Sequence, residues 1–117
     1  MTTQGFEHLY LETHNWGRSV AFWEALGFKV DFETGHHSGQ LVAANGTRIF
    51  LAEQSPEDPV GSDVYLGVAE SGIRPADNVE VVFDWTPSHW GTQVMTVRDP
   101  DGRLFRLETA TERRPER

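Results

Sequence analysis

The chain has 117 residues, long enough for one shared core, and its 10 Lys and Arg against 18 Asp and Glu give −8 at pH 7, which disfavours nucleic acid and anionic membranes. Without Cys there is no disulfide framework, thiolate metal site or cysteine nucleophile. The apolar runs are too short to span a membrane, and the polar Met1-Thr2-Thr3-Gln4 start lacks a signal peptide's hydrophobic stretch, so a soluble cytoplasmic protein is expected.

Phe6 to Glu12 alternates as a half-buried strand, with Leu9 and Leu11 on one face and His8, Tyr10 and Glu12 on the other. Asn15 is a good N-cap for a helix whose Trp16, Val20 and Trp23 form an apolar stripe, widened by Phe22 and Leu26. Gly27 ends that helix, and Phe28 follows as the hydrophobic partner of a glycine C-cap. Phe28, Val30 and Phe32 then alternate as a second strand. A third runs from Gln40 to Ala44, and Asn45-Gly46 turns the chain into a fourth that ends near Glu53. Ser55-Pro56-Glu57-Asp58-Pro59 has the composition of a linker.

The second half repeats the first. Ser62-Asp63-Val64-Tyr65-Leu66 echoes Glu7-His8-Leu9-Tyr10-Leu11, and Arg103-Leu104-Phe105-Arg106-Leu107-Glu108 echoes Arg48-Ile49-Phe50-Leu51-Ala52-Glu53. Strands are expected at Asp63 to Val68, Val79 to Trp85, Thr92 to Arg98 and Arg103 to Glu108, with Asp99-Pro100-Asp101-Gly102 turning between the last two. Only Ala69 to Asn78 lies where a second helix belongs, and Gly72 and Pro75 reduce it to a turn or a stub. The expected fold is α+β: two tandem βαβββ modules, 6–54 and 62–109, forming one curved mixed sheet with a concave pocket, the second helix short or missing. Residues 110–117 are expected to be a mobile tail.

The opening His8 strand, Ser19-Val20-Ala21-Phe22-Trp23-Glu24-Ala25-Leu26-Gly27-Phe28, and Trp90-Gly91 followed by Val97-Arg98-Asp99-Pro100-Asp101-Gly102 together resemble the vicinal oxygen chelate superfamily. That superfamily includes glyoxalase I, extradiol dioxygenases and bleomycin-resistance proteins, and the chain looks most like the last. The resemblance implies a divalent-metal site with one ligand on the first strand, one on the first strand of the second module, and one four residues after the turn glycine. Carried over, these positions fall on His8, Asp63 and Arg106. A guanidinium offers only donors and repels a cation, so Arg106 cannot ligate. A fourth corner maps to Phe50 by counting from the glycine, or to Leu51 if the alignment shifts, and neither is a ligand.

The preferred expectation is a metal-free, cofactor-free small-molecule binding protein that sequesters a drug or metabolite. Its ligand would contact His8, Tyr10, Phe50, Asp63, Tyr65, Trp85, Trp90 and Arg106. Aromatic faces at Trp85, His89 and Trp90 suit planar or cationic groups, although packing at the sheet edge or a subunit contact would use the same residues. Net acidity favours a cation and Arg106 an anion, so ligand charge is open, as is catalysis. The alternative is a lyase, isomerase or dioxygenase using Zn, Mn, Ni or Fe(II), with His8, Asp63 and Glu108 as ligands. A homodimer is expected, because short relatives commonly pair and a missing helix leaves apolar sheet to cover.

Overall fold

The computed structural model describes residues 1–109, so the expected tail lies outside the described residues. Among the described residues the strands are β1 Phe6–Thr13, β2 Lys29–Glu33, β3 Ser38–Val42, β4 Arg48–Glu53, β5 Ser62–Val68, β6 Glu80–Pro87, β7 Gln93–Arg98 and β8 Leu104–Thr109, with one helix, α1 Trp16–Ala25. The α+β class, the two modules and the missing second helix are as the sequence predicts. Among the described residues no helix is long and apolar enough to cross a membrane. Packing divides the described residues into 8–62 and a second unit joining Met1–Glu7 to residues 63–109. Gln4 N donates to Gly67 O at 2.7 Å and Gly67 N to Gly5 O at 2.9 Å, which ties the opening residues to β5.

In the first unit the strand order is β2-β3-β4-β1, with β1 parallel to β4 and the other pairs antiparallel. The helix starts where Asn15 Oδ1 accepts from Arg18 N at 2.9 Å and Glu53 Oε2 from Trp16 N at 2.8 Å. It ends in a Schellman arrangement: Phe28 N donates to Trp23 O, Gly27 N donates to Glu24 O, and Gly27 takes φ +100. Phe28 packs edge-on against Trp23, with ring centroids 5.2 Å apart. Trp16, Val20 and Trp23 are half-buried, but Phe22 is 58% and Leu26 61% exposed, so the covered stripe is narrower than the sequence implied. Gly39 admits the helix, because a Cβ there would collide with the Phe32 carbonyl and come within 3.1 Å of the Trp16 ring.

The second unit runs β5-β8-β7-β6, with β5 parallel to β8. No helix covers it. Instead Trp85, on β6, packs with Leu66, Val81 and Val97 against buried Val68, Met95 and Leu107, and its Nε1 donates to Ile73 O at 3.2 Å. One indole therefore fills space over the sheet and pins the loop that replaces the helix. Each such buried side chain contributes about 1.5 to 3 kcal/mol.

The turns repeat atom for atom. Gly46 N donates to Ala43 O and Gly102 N to Asp99 O, both glycines having positive φ, while Ala43 N donates to Thr47 O and Asp99 N to Arg103 O. In the other hairpins Thr34 bonds Ser38 and Ser88 bonds Thr92 through the same backbone and hydroxyl contacts. Burial along β2 alternates as expected, and a bulge between Val30 and Phe32 shifts its pairing: Val30 pairs with Leu41 and Phe32 with Gln40, the next residue back along β3.

Candidate functional site

One rung of aligned Cα partners crosses each unit at its middle. In the first it is Phe32, Gln40, Phe50 and Tyr10, and in the second Phe83, Thr96, Arg106 and Tyr65. Directly paired residues on neighbouring strands point to the same face, so each rung is a row of adjacent side chains. Phe50 and Arg106 are equivalent, each the fourth residue after its turn glycine.

The first rung is filled. Phe50 is 4% exposed, and its ring stacks with Tyr10 at 6.3 Å and 11° and meets Phe32 at 6.2 Å. Gln40 is buried beside it; its Nε2 donates to Asp31 Oδ2 at 2.8 Å, while Oε1 finds no hydrogen-bond partner among the described residues. The Tyr10 hydroxyl donates to Glu12 Oε2 at 3.1 Å.

The second rung is open. Phe83 is 63% exposed and lines a cavity of about 510 Å³ with Tyr65, His89, Trp90, Thr96 and Arg106 among its walls. Two bulges make this possible: β6 shifts register between Val81 and Phe83 and again between Phe83 and Thr86. Val81 and Trp85 therefore serve the core while Phe83, between them in the sequence, joins the cavity.

Two polar contacts hold the cavity's cation. Arg106 Nη1 donates to Thr96 Oγ1 at 2.5 Å, and Nη2 lies 3.6 Å from Asp63 Oδ2. The second distance is an ion pair too long for a good hydrogen bond. Trp90 is fixed from behind, its Nε1 donating to Glu108 Oε2 at 2.7 Å. The same oxygen accepts from Thr92 Oγ1 at 2.9 Å, and both Thr92 and Glu108 are buried. His89 meets Trp90 edge-on at 4.7 Å, and Gly91, at φ +98, supplies the left-handed backbone that follows. A carboxylate accepting two hydrogen bonds makes a stiff brace for an aromatic wall.

Of the residues singled out from the sequence, Tyr65, Trp90 and Arg106 line this cavity, and Asp63 reaches it through Arg106. Trp85 packs in the second core, Tyr10 and Phe50 belong to the first rung, and His8 is buried on β1. Phe83, Thr96 and the Thr92 to Glu108 brace were not anticipated. The pairing of Ser88 with Thr92, which mirrors Thr34 with Ser38, was a signal for the last.

Asp63, one of the expected ligands, is engaged by Arg106. Within the second unit a carboxylate oxygen of Glu7 lies within 4.8 Å of one of Glu108. Paired carboxylate oxygens are donors that divalent metals take.

No protein-family model matches the chain. An uncharacterized protein from Mycolicibacterium smegmatis is 30% identical over 77 residues, covering 65% of this chain and 64% of its own length, so the match spans less than two thirds of that relative. A glyoxalase/bleomycin resistance protein/dioxygenase superfamily member from Vibrio splendidus 12B01 superposes with a TM-score of 0.61 at 21% identity, over 93% of this chain and all of that one. A Legionella pneumophila structure described as an NAD-dependent benzaldehyde dehydrogenase gives 0.64 at 16% identity, over 88% and 97%. At such identities the likeness is one of fold, and the divergent descriptions underline that fold alone does not fix chemistry.

Proposed function

We propose that this chain, which has the fold of the glyoxalase/bleomycin resistance protein/dioxygenase superfamily, is a metal-free small-molecule binding protein that sequesters its ligand in the cavity of the second unit. The supporting observation is the cavity of about 510 Å³ with Trp90 braced by Glu108 on one side and Arg106 held by Thr96 on another. Ligand pockets generally enclose roughly 300 to 1,000 Å³, mostly apolar with a few fixed polar groups. Stacking on an aromatic wall contributes about 0.5 to 2 kcal/mol per ring. The resemblance's third metal position carries Arg106, whose charge faces Asp63 and opposes a cation there. In this reading the protein is cytoplasmic and a homodimer, and a monomeric sedimentation profile at micromolar concentration would contradict the dimer.

A second reading, a lyase, isomerase or dioxygenase using Zn, Mn, Ni or Fe(II), is favoured by the Glu7 and Glu108 carboxylates of the second unit. There an ion would act as a Lewis acid on neighbouring substrate oxygens. Glu108 would have to ligate while its Oε2 still accepts from Trp90 and Thr92.

Metal analysis by plasma mass spectrometry separates the two. Tag-free protein purified without chelator is challenged with each ion in turn. The first reading expects metal at background and aromatic-compound binding unchanged by EDTA. Near-stoichiometric metal that disappears in His8→Ala would replace it with the second.

A further inference from the structure

We propose that the cavity of the second unit selects a planar aromatic monoanion, its ring against Phe83 and Trp90 and its carboxylate on the Arg106 guanidinium. This rests on the small-molecule binding reading above and adds the ligand's chemical class. The chain carries 18 Asp and Glu against 10 Lys and Arg, yet none of the ten residues lining this cavity is acidic and one is Arg106. The overall negative charge acts at long range and is screened beyond about 8 Å at physiological salt, whereas a ligand in the cavity meets the local cation directly. Arg106 is oriented by two contacts. Thr96 takes one N–H, and Asp63, at 3.6 Å, balances charge without a short hydrogen bond. A guanidinium has five N–H donors in a planar fork, so the geometry suits a two-oxygen acceptor such as a carboxylate. A second negative charge would be opposed by Asp63, which limits the ligand to a monoanion.

The aromatic half of the site is equally specific. Phe83 is 63% exposed although the bulges on either side turn it toward the cavity, and Trp90 is held by Glu108 so that its ring stays in the wall. An exposed aromatic beside a fixed one is a surface that a flat ring would cover.

Titration calorimetry of the full chain with 2-naphthoate and 2-naphthylmethylamine, the same ring with opposite charges, tests the proposal. The expected result is naphthoate binding at least tenfold tighter than the amine. Arg106→Gln should weaken naphthoate at least tenfold and leave the amine equal or tighter, and Arg106→Lys should recover part of the loss. Circular dichroism checks that each variant is folded; Trp90→Phe, which keeps an aromatic wall, should weaken both probes without reversing their order. If the amine binds as well as naphthoate, or Arg106→Gln leaves naphthoate unchanged, the anion assignment is wrong and the binding reading stands. If neither probe binds wild-type protein, the cavity is not an aromatic ligand site and both fall.

Discussion

The two units are built on the same strand order, the same glycine turns and the same hydroxyl-bonded hairpins, yet one rung is closed and its counterpart is open. In the first, Phe50 fills the space between Tyr10 and Phe32 and is almost wholly buried. In the second, Arg106 occupies the equivalent position, draws in Thr96 and Asp63, and leaves Phe83 at the edge of a cavity. A single position, the fourth after each turn glycine, therefore separates a filled rung from an open one. The coverings differ in parallel: a helix carrying Trp16 and Trp23 lies over the first unit, and in the second one strand tryptophan, Trp85, anchors a loop.

The comparison breaks most readily at Phe50. Phe50→Ala should destabilise the protein by about 3 to 5 kcal/mol in urea denaturation, because it empties a filled rung. Phe83→Ala, at the exposed counterpart of Phe50's half-buried neighbour Phe32, should stay within about 0.5 kcal/mol of wild type. Equal losses at the two sites would mean that the second rung is as closed as the first. Next in size, Arg106→Phe should copy the closed rung into the second unit, abolishing naphthoate binding beyond a tenfold loss while keeping the thermal midpoint. A folded variant that still binds would remove Arg106 from the site. A smaller effect is expected on the ligand side of Phe83→Ala, a weakening worth about 0.5 to 1.5 kcal/mol for one lost ring contact, read by calorimetry.

The smallest effect concerns acid. Glu53 and Thr109 close equivalent strands, and each accepts a backbone N–H, from Trp16 and Gln93 respectively. Only Glu53 titrates. Its carboxyl is held below the usual range chiefly by the Trp16 N–H and then by the His37 hydrogen bond. A folded-state value below the unfolded one gives stability that is present above the unfolded value and lost as pH falls through the folded one. Denaturation midpoints measured from pH 6 down to pH 3 should therefore drop more steeply for wild type than for Glu53→Gln. Parallel curves would show that this contact does not contribute.

Much of the architecture was legible because strands, turns and caps are local. Asn45-Gly46, the Asp99 to Gly102 turn and the Gly27 cap lie where the sequence places them, since glycine at positive φ leaves few alternatives. The site was legible only in part. Arg106 could be found by counting from a glycine, and Tyr65 by its repeat partner. Phe83 could not, because strict alternation puts it on one face with Val81 and Trp85, and only the bulges on either side turn it away. The Trp90 to Glu108 bond joins residues on different elements through a particular side-chain geometry, which no periodicity encodes. Glu7 was missed beside Glu108 because the two lie on strands far apart in the sequence.

The most direct measurement of the account is an amide and indole NMR titration with whichever of 2-naphthoate and 2-naphthylmethylamine binds. The account predicts shifts concentrated at Tyr65, Phe83, the Trp90 indole N–H, Thr96 and Arg106, with Phe32, Gln40 and Phe50 unmoved. Shifts centred on the first rung, or spread evenly over both units, would contradict the assignment of binding to the open rung.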